Sequence, residues 1–100
     1  MGAEQFGVRS KGLCAAEAFR RAVNQARFDY GHRGYTGTIA EKQVFVVIQV
    51  PEGKDPKDYA KELLREGDPR ISDKWGPAGA VRLSGNEDEE EWLFFGWASS

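Results

Sequence analysis

Residues 30–42, YGHRGYTGTIAEK, hold the densest group of side chains in the sequence that could do chemistry. Three glycines follow one another at three-residue spacing, and His32 is the only histidine of the chain. A glycine-rich turn can bind phosphate through converging backbone N–H groups, and Arg33 would add positive charge. Phosphate loops usually lead into a helix, however, whereas this segment follows a predicted helix and precedes a predicted strand. The sequence therefore favours a structural turn, with an anion site as the alternative.

Cys14 is the second candidate, because a thiol at the start of a helix can become a reactive thiolate. Glu17 stands three residues further on, which is the spacing of a capping box with cysteine in the usual place of serine or threonine. The only histidine lies past the far end of the same predicted helix, roughly 25 Å away at 1.5 Å per residue. An enzyme using Cys14 would need His32 from a second chain, so we predict no catalytic residue.

Metal and cofactor sites are not predicted either. One cysteine and one histidine cannot supply the tetrahedral ligand set that zinc prefers. The acidic run at residues 87–91 lacks the alternating ligands and central glycine of a calcium loop. We interpret it as a solvated loop between two strands.

Length and composition bound the class of protein. One hundred residues, 40% of them hydrophobic, supply one core and predict a single α+β domain over residues 1–100. A single cysteine excludes an intramolecular disulfide, which fits a cytoplasmic protein. The longest apolar run, residues 44–48, is far shorter than the roughly 20 residues that cross a bilayer, so no membrane contact is predicted.

Charge is distributed unevenly along the chain. Residues 1–42 carry seven Lys and Arg against four Asp and Glu, whereas residues 43–100 carry seven against twelve. The first part therefore has a net charge of +3 and the second of −5. Such asymmetry can mark a surface for a nucleic acid or an acidic partner, whereas the fields of two halves that interleave in one compact domain largely cancel.

Hydrophobic periodicity predicts seven elements in the order strand, helix, strand, strand, helix, strand, strand. Apolar residues at helical spacing predict an amphipathic helix over residues 15–30, closed by Gly31. Asp55 and Pro56 favour the start of a second helix, which ends at Gly67. The predicted strands are residues 5–10, 36–40, 44–50, 78–83 and 92–98.

This order favours a ferredoxin-like β-α-β-β-α-β fold with one extra C-terminal strand. We expect a largely antiparallel sheet with both helices on one face, and a hairpin formed by residues 36–40 and 44–50. The two strands 44–50 and 92–98 carry apolar side chains on both faces. One of those faces would then lie open, which is rare on a soluble monomer. The residues expected to bind a partner through it are Phe45, Val47, Trp92, Phe94 and Trp97.

The function predicted from such a face is a small non-catalytic module that binds a protein partner or a second copy of itself as a homodimer. The alternative is binding of single-stranded nucleic acid, because RNA-recognition motifs share the βαββαβ order and stack bases on exposed aromatic rings. The signature glycine and second aromatic residue of those motifs are missing around Phe45, and the acidic second half opposes nucleic acid. The phosphate contacts of this alternative would be Arg20, Arg27, Arg33 and Lys42.

Residues 15–48 resemble a group of small bacterial and phage proteins of no assigned activity that carry a Y-G-x-x-x-Y-x-G-T-I segment. The matching positions here run from Tyr30 to Ile39. The resemblance implies a phage or mobile-element context and a structural segment, in which Gly31 caps the helix and Gly37 lets the chain bend. Tyr30 and Tyr35 would pack across the turn. No functional residue is carried over.

Overall fold

The structure is a computed structural model that describes residues 2–31 and 35–100. These residues form two α-helices, a short 3-10 turn and four strands of one sheet, so the protein is α+β as the sequence predicts. In chain order the elements are β1 (Ala3–Gly12), α1 (Ala15–Tyr30), the 3-10 turn (Ile39–Glu41), β2 (Phe45–Val47), α2 (Pro56–Glu66), β3 (Ala78–Gly85) and β4 (Glu90–Ser99).

The sheet is mixed and has the strand order β1-β4-β3-β2. β4 lies between β1 and β3 and is antiparallel to both, with Ala3 opposite Ser99 at one end of the β1–β4 ladder. β2 runs parallel to β3, with Phe45 opposite Ala78. The prediction of a largely antiparallel sheet is therefore partly wrong, and the strand order is not clearly that of the ferredoxin-like fold.

Residues 36–40 do not form the predicted strand. The Thr38 hydroxyl accepts a hydrogen bond from Ala40 N at 3.2 Å and starts the 3-10 turn, while Glu41 Oε2 accepts from Thr36 N at 3.0 Å. These short-range side-chain bonds compete with pairing in a sheet, although the β-branched residues favour a strand. The predicted hairpin is also wrong. α2 connects β2 to β3, and such a crossover is what a parallel pair requires.

The two helices begin and end at residues that the sequence indicates. α1 ends at Gly31, whose φ is 85° and whose N–H donates to Arg27 O at 2.8 Å. The Asp55 side chain accepts a hydrogen bond from Lys57 N at 2.8 Å at the start of α2, and Gly67 ends that helix with a φ of 68°. Neither helix is long and apolar enough to cross a membrane, within the residues described.

The helices pack on opposite faces of the sheet, which corrects the expectation that both cover one face. Successive side chains of a strand point to opposite faces. Accordingly, Phe94 and Ala98 of β4 pack against α1, whereas Phe95 and Trp97 pack against α2. β4 is apolar on both faces because it is an inner strand covered on both sides, a pattern shared with strands of two-sided sheets. No wholly open aromatic face remains on this strand.

Candidate binding groove between α1 and β2

The five residues predicted to bind a partner do not share one open surface. Phe94 is fully buried, and Trp92 is buried with its indole N–H donating to Glu90 Oε1 at 3.0 Å. Trp97 is half-buried on the α2 face. Trp92 and Phe94 belong to the core beneath α1, so a partner that binds the native fold has no access to Phe94.

Phe45 and Val47 remain at the surface. Val47 is 47% exposed. Phe45 is half-buried, and its ring centroid lies 5.0 Å from that of Phe19 and 5.7 Å from that of Phe94. α1 packs chiefly over β1 and β4, so the strip of the same face formed by β2 is only partly covered. This strip is the part of the predicted open face that the structure retains.

A groove of about 540 Å³ lies between α1 and the chain that leads into β2. Its apolar lining comes from Phe19 and Val23 on α1 and from Phe45 on β2, and Arg20 and Arg27 line its helix side. Every other lining residue is apolar, amide-bearing or a lysine, so no carboxylate contributes to the lining. In a chain with an acidic balance, this groove is locally basic.

The two arginines point along one side of α1. They are seven residues apart, close to two helical turns, which places them roughly 10 Å apart along the helix axis. Both are exposed, and neither forms an ion pair with any residue in the ranges 2–31 and 35–100. The charge of Arg27 contributes to lowering the pKa of Glu41. Both guanidinium groups are therefore able to meet an anionic partner.

Lys42 has a different place from the one predicted. It is 2% exposed, and its Nζ donates to the carbonyl oxygens of Asp73, Lys74 and Gly76 at 3.3, 3.2 and 2.9 Å. Burial lowers its pKa, while the charge of Asp73 acts in the opposite direction. Its ammonium group binds the chain itself and is not presented to a phosphate. Of the four predicted phosphate contacts, the structure brings Arg20 and Arg27 together, and Arg33 lies outside the described residues.

No described residue pairs with the outer side of the β2 backbone. Val44 O accepts from Ala78 N at 3.0 Å, and Ile48 N donates to Ala80 O at 2.9 Å, so the even-numbered residues face β3. Because the peptide groups of a parallel strand alternate in direction, those of Phe45 and Val47 point away from the sheet. The edge of β2 is thus open beside the groove, and nothing in the sequence indicated that this strand would be an edge.

The other sequence candidates lie away from this groove. Cys14 is exposed at the N-terminus of α1, and its side chain makes no capping hydrogen bond. Glu17 instead accepts from Leu13 N at 3.2 Å and pairs with Arg21 at 3.0 Å. His32 lies outside the described residues, as does the centre of the glycine-rich segment. Among the residues described, no three His, Cys, Asp or Glu side chains converge as metal ligands would.

Comparisons of the chain with protein-family models, with curated proteins and with solved structures found no match. The shape, charge and backbone of the groove are therefore the features that bear on function. The sequence signal for it was the seven-residue spacing of Arg20 and Arg27 beside the apolar face of α1.

Proposed function

We propose that the protein is a small non-catalytic binding module that holds an extended, acidic segment of another protein in the groove between α1 and β2. The observation that carries the proposal is an apolar groove that has two free arginines, no lining carboxylate and an unpaired strand edge beside it. In binding by strand addition, main-chain hydrogen bonds give affinity and pockets for alternate side chains give specificity.

Main-chain pairing would fix the direction of the bound segment. The outward N–H and C=O groups of Phe45 and Val47 would exchange hydrogen bonds with a strand laid beside β2. Alternate side chains of that strand would face the groove. An apolar side chain would contact Phe45, and acidic side chains two positions away would approach the arginines of α1.

Charge complementarity selects an acidic occupant. A segment rich in Asp or Glu can form ion pairs with two guanidinium groups that have no partner in the described chain. Each exposed ion pair adds only modest affinity, but together the pairs strongly favour a negatively charged segment over a positive one. The resemblance to phage and bacterial proteins supports the proposal that the partner is a host protein which this module inhibits or redirects.

Single-stranded nucleic acid is the second candidate, and the absence of carboxylates from the groove lining favours it as well. The aromatic contacts are less suited to it. Phe19 and Phe94 both pack on the Phe45 ring, which leaves little of its face for a base to stack on. Phosphate contacts from Arg20 and Arg27 would then have to provide most of the affinity.

The test is selection from a displayed library of random peptides against the wild-type protein and the double variant Arg20→Gln, Arg27→Gln. Glutamine is used because a new carboxylate at position 27 would repel Glu41, whose pKa already reflects the charge of Arg27. The matched control is Lys61→Gln, Arg65→Gln, which removes the same charge from exposed positions of α2. Labelled oligothymidylate and oligouridylate are measured with the same three proteins.

The selected peptides should alternate acidic and apolar residues. They should bind the control variant and the wild type with equal affinity, and the double variant at least about tenfold more weakly. Selection of nothing, or of peptides without acidic residues, contradicts the proposal. Binding of the oligonucleotides with a loss on the same double variant, and no peptide selected, would establish the second candidate in its place.

A further inference from the structure

The outer edge of β1 is a second unpaired surface, and it is longer than the edge of β2. β1 spans ten residues in an uninterrupted register with β4. Gly2 and Ser100 exchange hydrogen bonds at 3.2 and 3.1 Å, so the even-numbered residues of β1 face β4. The peptide groups of Gln5, Gly7 and Arg9 consequently point outward.

Among the described residues, one outward-pointing backbone group of β1 has a hydrogen-bond partner. Lys11 O accepts a hydrogen bond from Arg21 Nη1 at 3.1 Å, which closes the far end of the edge. No described residue hydrogen-bonds to the outward groups of Gln5, Gly7 or Arg9. A straight edge without proline or bulge is a template for another strand, and proteins usually protect such edges.

Space for the side chains of an added strand exists on both faces of β1. A groove of about 480 Å³ on the α2 side is lined by Gly7, Arg9 and Leu64. A second groove, of about 430 Å³ on the α1 side, is lined by Phe6, Val8 and Ala26. A side chain built at Gly7 would meet no atom within 4 Å. α2 therefore stands back from this edge, and α1, although it packs over β1, leaves the second groove beside the strand.

We infer that the outer edge of β1 pairs with β1 of a second copy of this chain, so that two four-stranded sheets become one continuous sheet in a two-fold symmetric dimer. The inference is independent of the groove between α1 and β2. Self-pairing of one strand about a two-fold axis is antiparallel and isologous. Among the registers open to such a pair, the sequence of β1 favours the one centred on Gly7.

That register makes complementary cross-strand pairs. Gln5 lies opposite Arg9 of the second copy, and Phe6 lies opposite Val8, each pair occurring twice. Glu4 lies opposite Ser10. No charged residue of β1 then faces its own equivalent or a like charge, whereas a register centred on Arg9 would place two arginines opposite each other. Registers centred on Phe6 or Val8 also avoid like charges, but only the one centred on Gly7 pairs Phe6 with Val8 twice. This self-complementarity of β1 is the argument for a second copy as the occupant.

The first test is sedimentation velocity over a dilution series of wild-type protein and of the variant Gly7→Pro. Wild type should move from 11.2 kDa toward twice that mass as its concentration rises. Proline at position 7 removes an outward N–H but leaves the hydrogen bonds of Phe6 and Val8 to β4 intact, so the variant should still fold. Its dimer dissociation constant should rise at least about tenfold, which leaves it mainly monomeric. Gly7→Ala keeps the N–H and adds only a methyl group, so its dissociation constant should stay much closer to that of wild type than that of Gly7→Pro does.

A wild-type protein that stays at 11.2 kDa at its highest concentration overturns the inference. So does a folded Gly7→Pro variant that dimerises as tightly as wild type. If proline prevents folding, the Ser10 variants decide. Ser10→Lys should tighten the dimer and Ser10→Glu should weaken it, because position 10 lies opposite Glu4 of the second copy. The dissociation constants of the two variants should differ by about three- to tenfold, and equal constants overturn the register.

Salt distinguishes this surface from the groove of the proposed function. In the register centred on Gly7, Arg9 lies opposite Gln5 of the second copy and Glu4 lies opposite Ser10, so no ion pair joins the two copies of β1. Added salt should therefore change the dimer little, whereas it should weaken binding of an acidic segment. The double variant Arg20→Gln, Arg27→Gln should dimerise normally even if it binds no peptide, and a dimer lost with those arginines contradicts the inference.

Discussion

Lys42 Nζ donates a hydrogen bond to Gly76 O at 2.9 Å and so joins two residues that are 34 positions apart in the chain. The same ammonium group reaches the carbonyl oxygens of Asp73 and Lys74. It therefore holds residues 73–76, which lead into β3, against the chain that leads into β2. The parallel pairing of β2 with β3 begins beside this contact, since Ala78 N donates to Val44 O.

Replacing Lys42 with methionine should lower the free energy of unfolding by about 2 kcal/mol, because three part-buried carbonyl groups lose their donor while the apolar stem is kept. Urea denaturation followed by circular dichroism measures this change. Lys61→Met on the exposed side of α2 is the control and should change stability by less than about 0.5 kcal/mol. Equal midpoints for the two variants would mean that Lys42 contributes little to the loop.

Phe94 and Val47, which the sequence placed on one partner-binding face, should respond differently to substitution. Phe94→Ala should lower stability by about 3–5 kcal/mol, since Phe94 is fully buried beneath α1. Val47→Ser, at an exposed position of an edge strand, should lower it by less than about 1 kcal/mol. The same denaturation experiment compares them, and a small effect at Phe94 would restore the predicted open face.

Gly79 marks a close approach between β3 and the core beneath α2. A Cβ atom at this position would lie 2.8 Å from Ile71 Cγ2 and 2.8 Å from Phe95 Cζ. Gly79→Ala should therefore lower the free energy of unfolding by about 1–3 kcal/mol through overpacking. Gly7→Ala, where the added methyl group meets no atom within 4 Å, is the control. Thermal or urea unfolding of both variants measures their loss of stability, and an equal loss would contradict the close contact at Gly79.

Glu41 should make the stability of the turn depend on pH. Burial acts to raise the pKa of its carboxyl group, but hydrogen bonds from Thr36 and the charge of Arg27 outweigh that effect and leave the pKa lowered from 4.5. A carboxylate with a lowered pKa stabilises the fold above its unfolded pKa, and this contribution is lost as the pH falls through the folded value.

Wild type should therefore exceed Glu41→Gln in stability at about pH 6, by no more than about 1 kcal/mol because water also reaches the carboxylate. The difference should shrink as the pH falls below the ordinary range of a glutamate and vanish below the lowered pKa of Glu41, where both side chains are neutral. Urea unfolding at several pH values measures it. A difference that is constant with pH would assign the effect to shape and not to the charge of Glu41.

The features that the sequence predicts well are those set by neighbouring residues. The bounds of α1 follow from apolar spacing and from Gly31, and those of α2 follow from Asp55, Pro56 and Gly67, each of which acts within one helical turn. The strand predicted at 36–40 failed for the same reason. Thr38 and Glu41 accept short-range hydrogen bonds, and these decide the local conformation against the β propensity of the segment.

Pairing between distant segments could not be predicted in the same way. Apolar side chains on both faces of residues 92–97 fit either an inner strand covered on both sides or a sheet with one open face, and the pattern alone does not distinguish them. The position of α2 on the opposite face from α1 decides between the two. Of the groove, the sequence predicted Phe45 and the two arginines as binding residues. It did not predict the open strand edge, which exists through the parallel pairing of β2 with β3.

The pairing of β1 with β4 has a consequence for synthesis of the chain. β1 is translated before every other strand, yet its partner in the sheet is the last of them, with Ala3 opposite Ser99. Until β4 has left the ribosome, β1 lacks a native partner, and closing so long a loop slows folding. A nascent chain halted before Glu90 should therefore remain open to proteases and chaperones along β1.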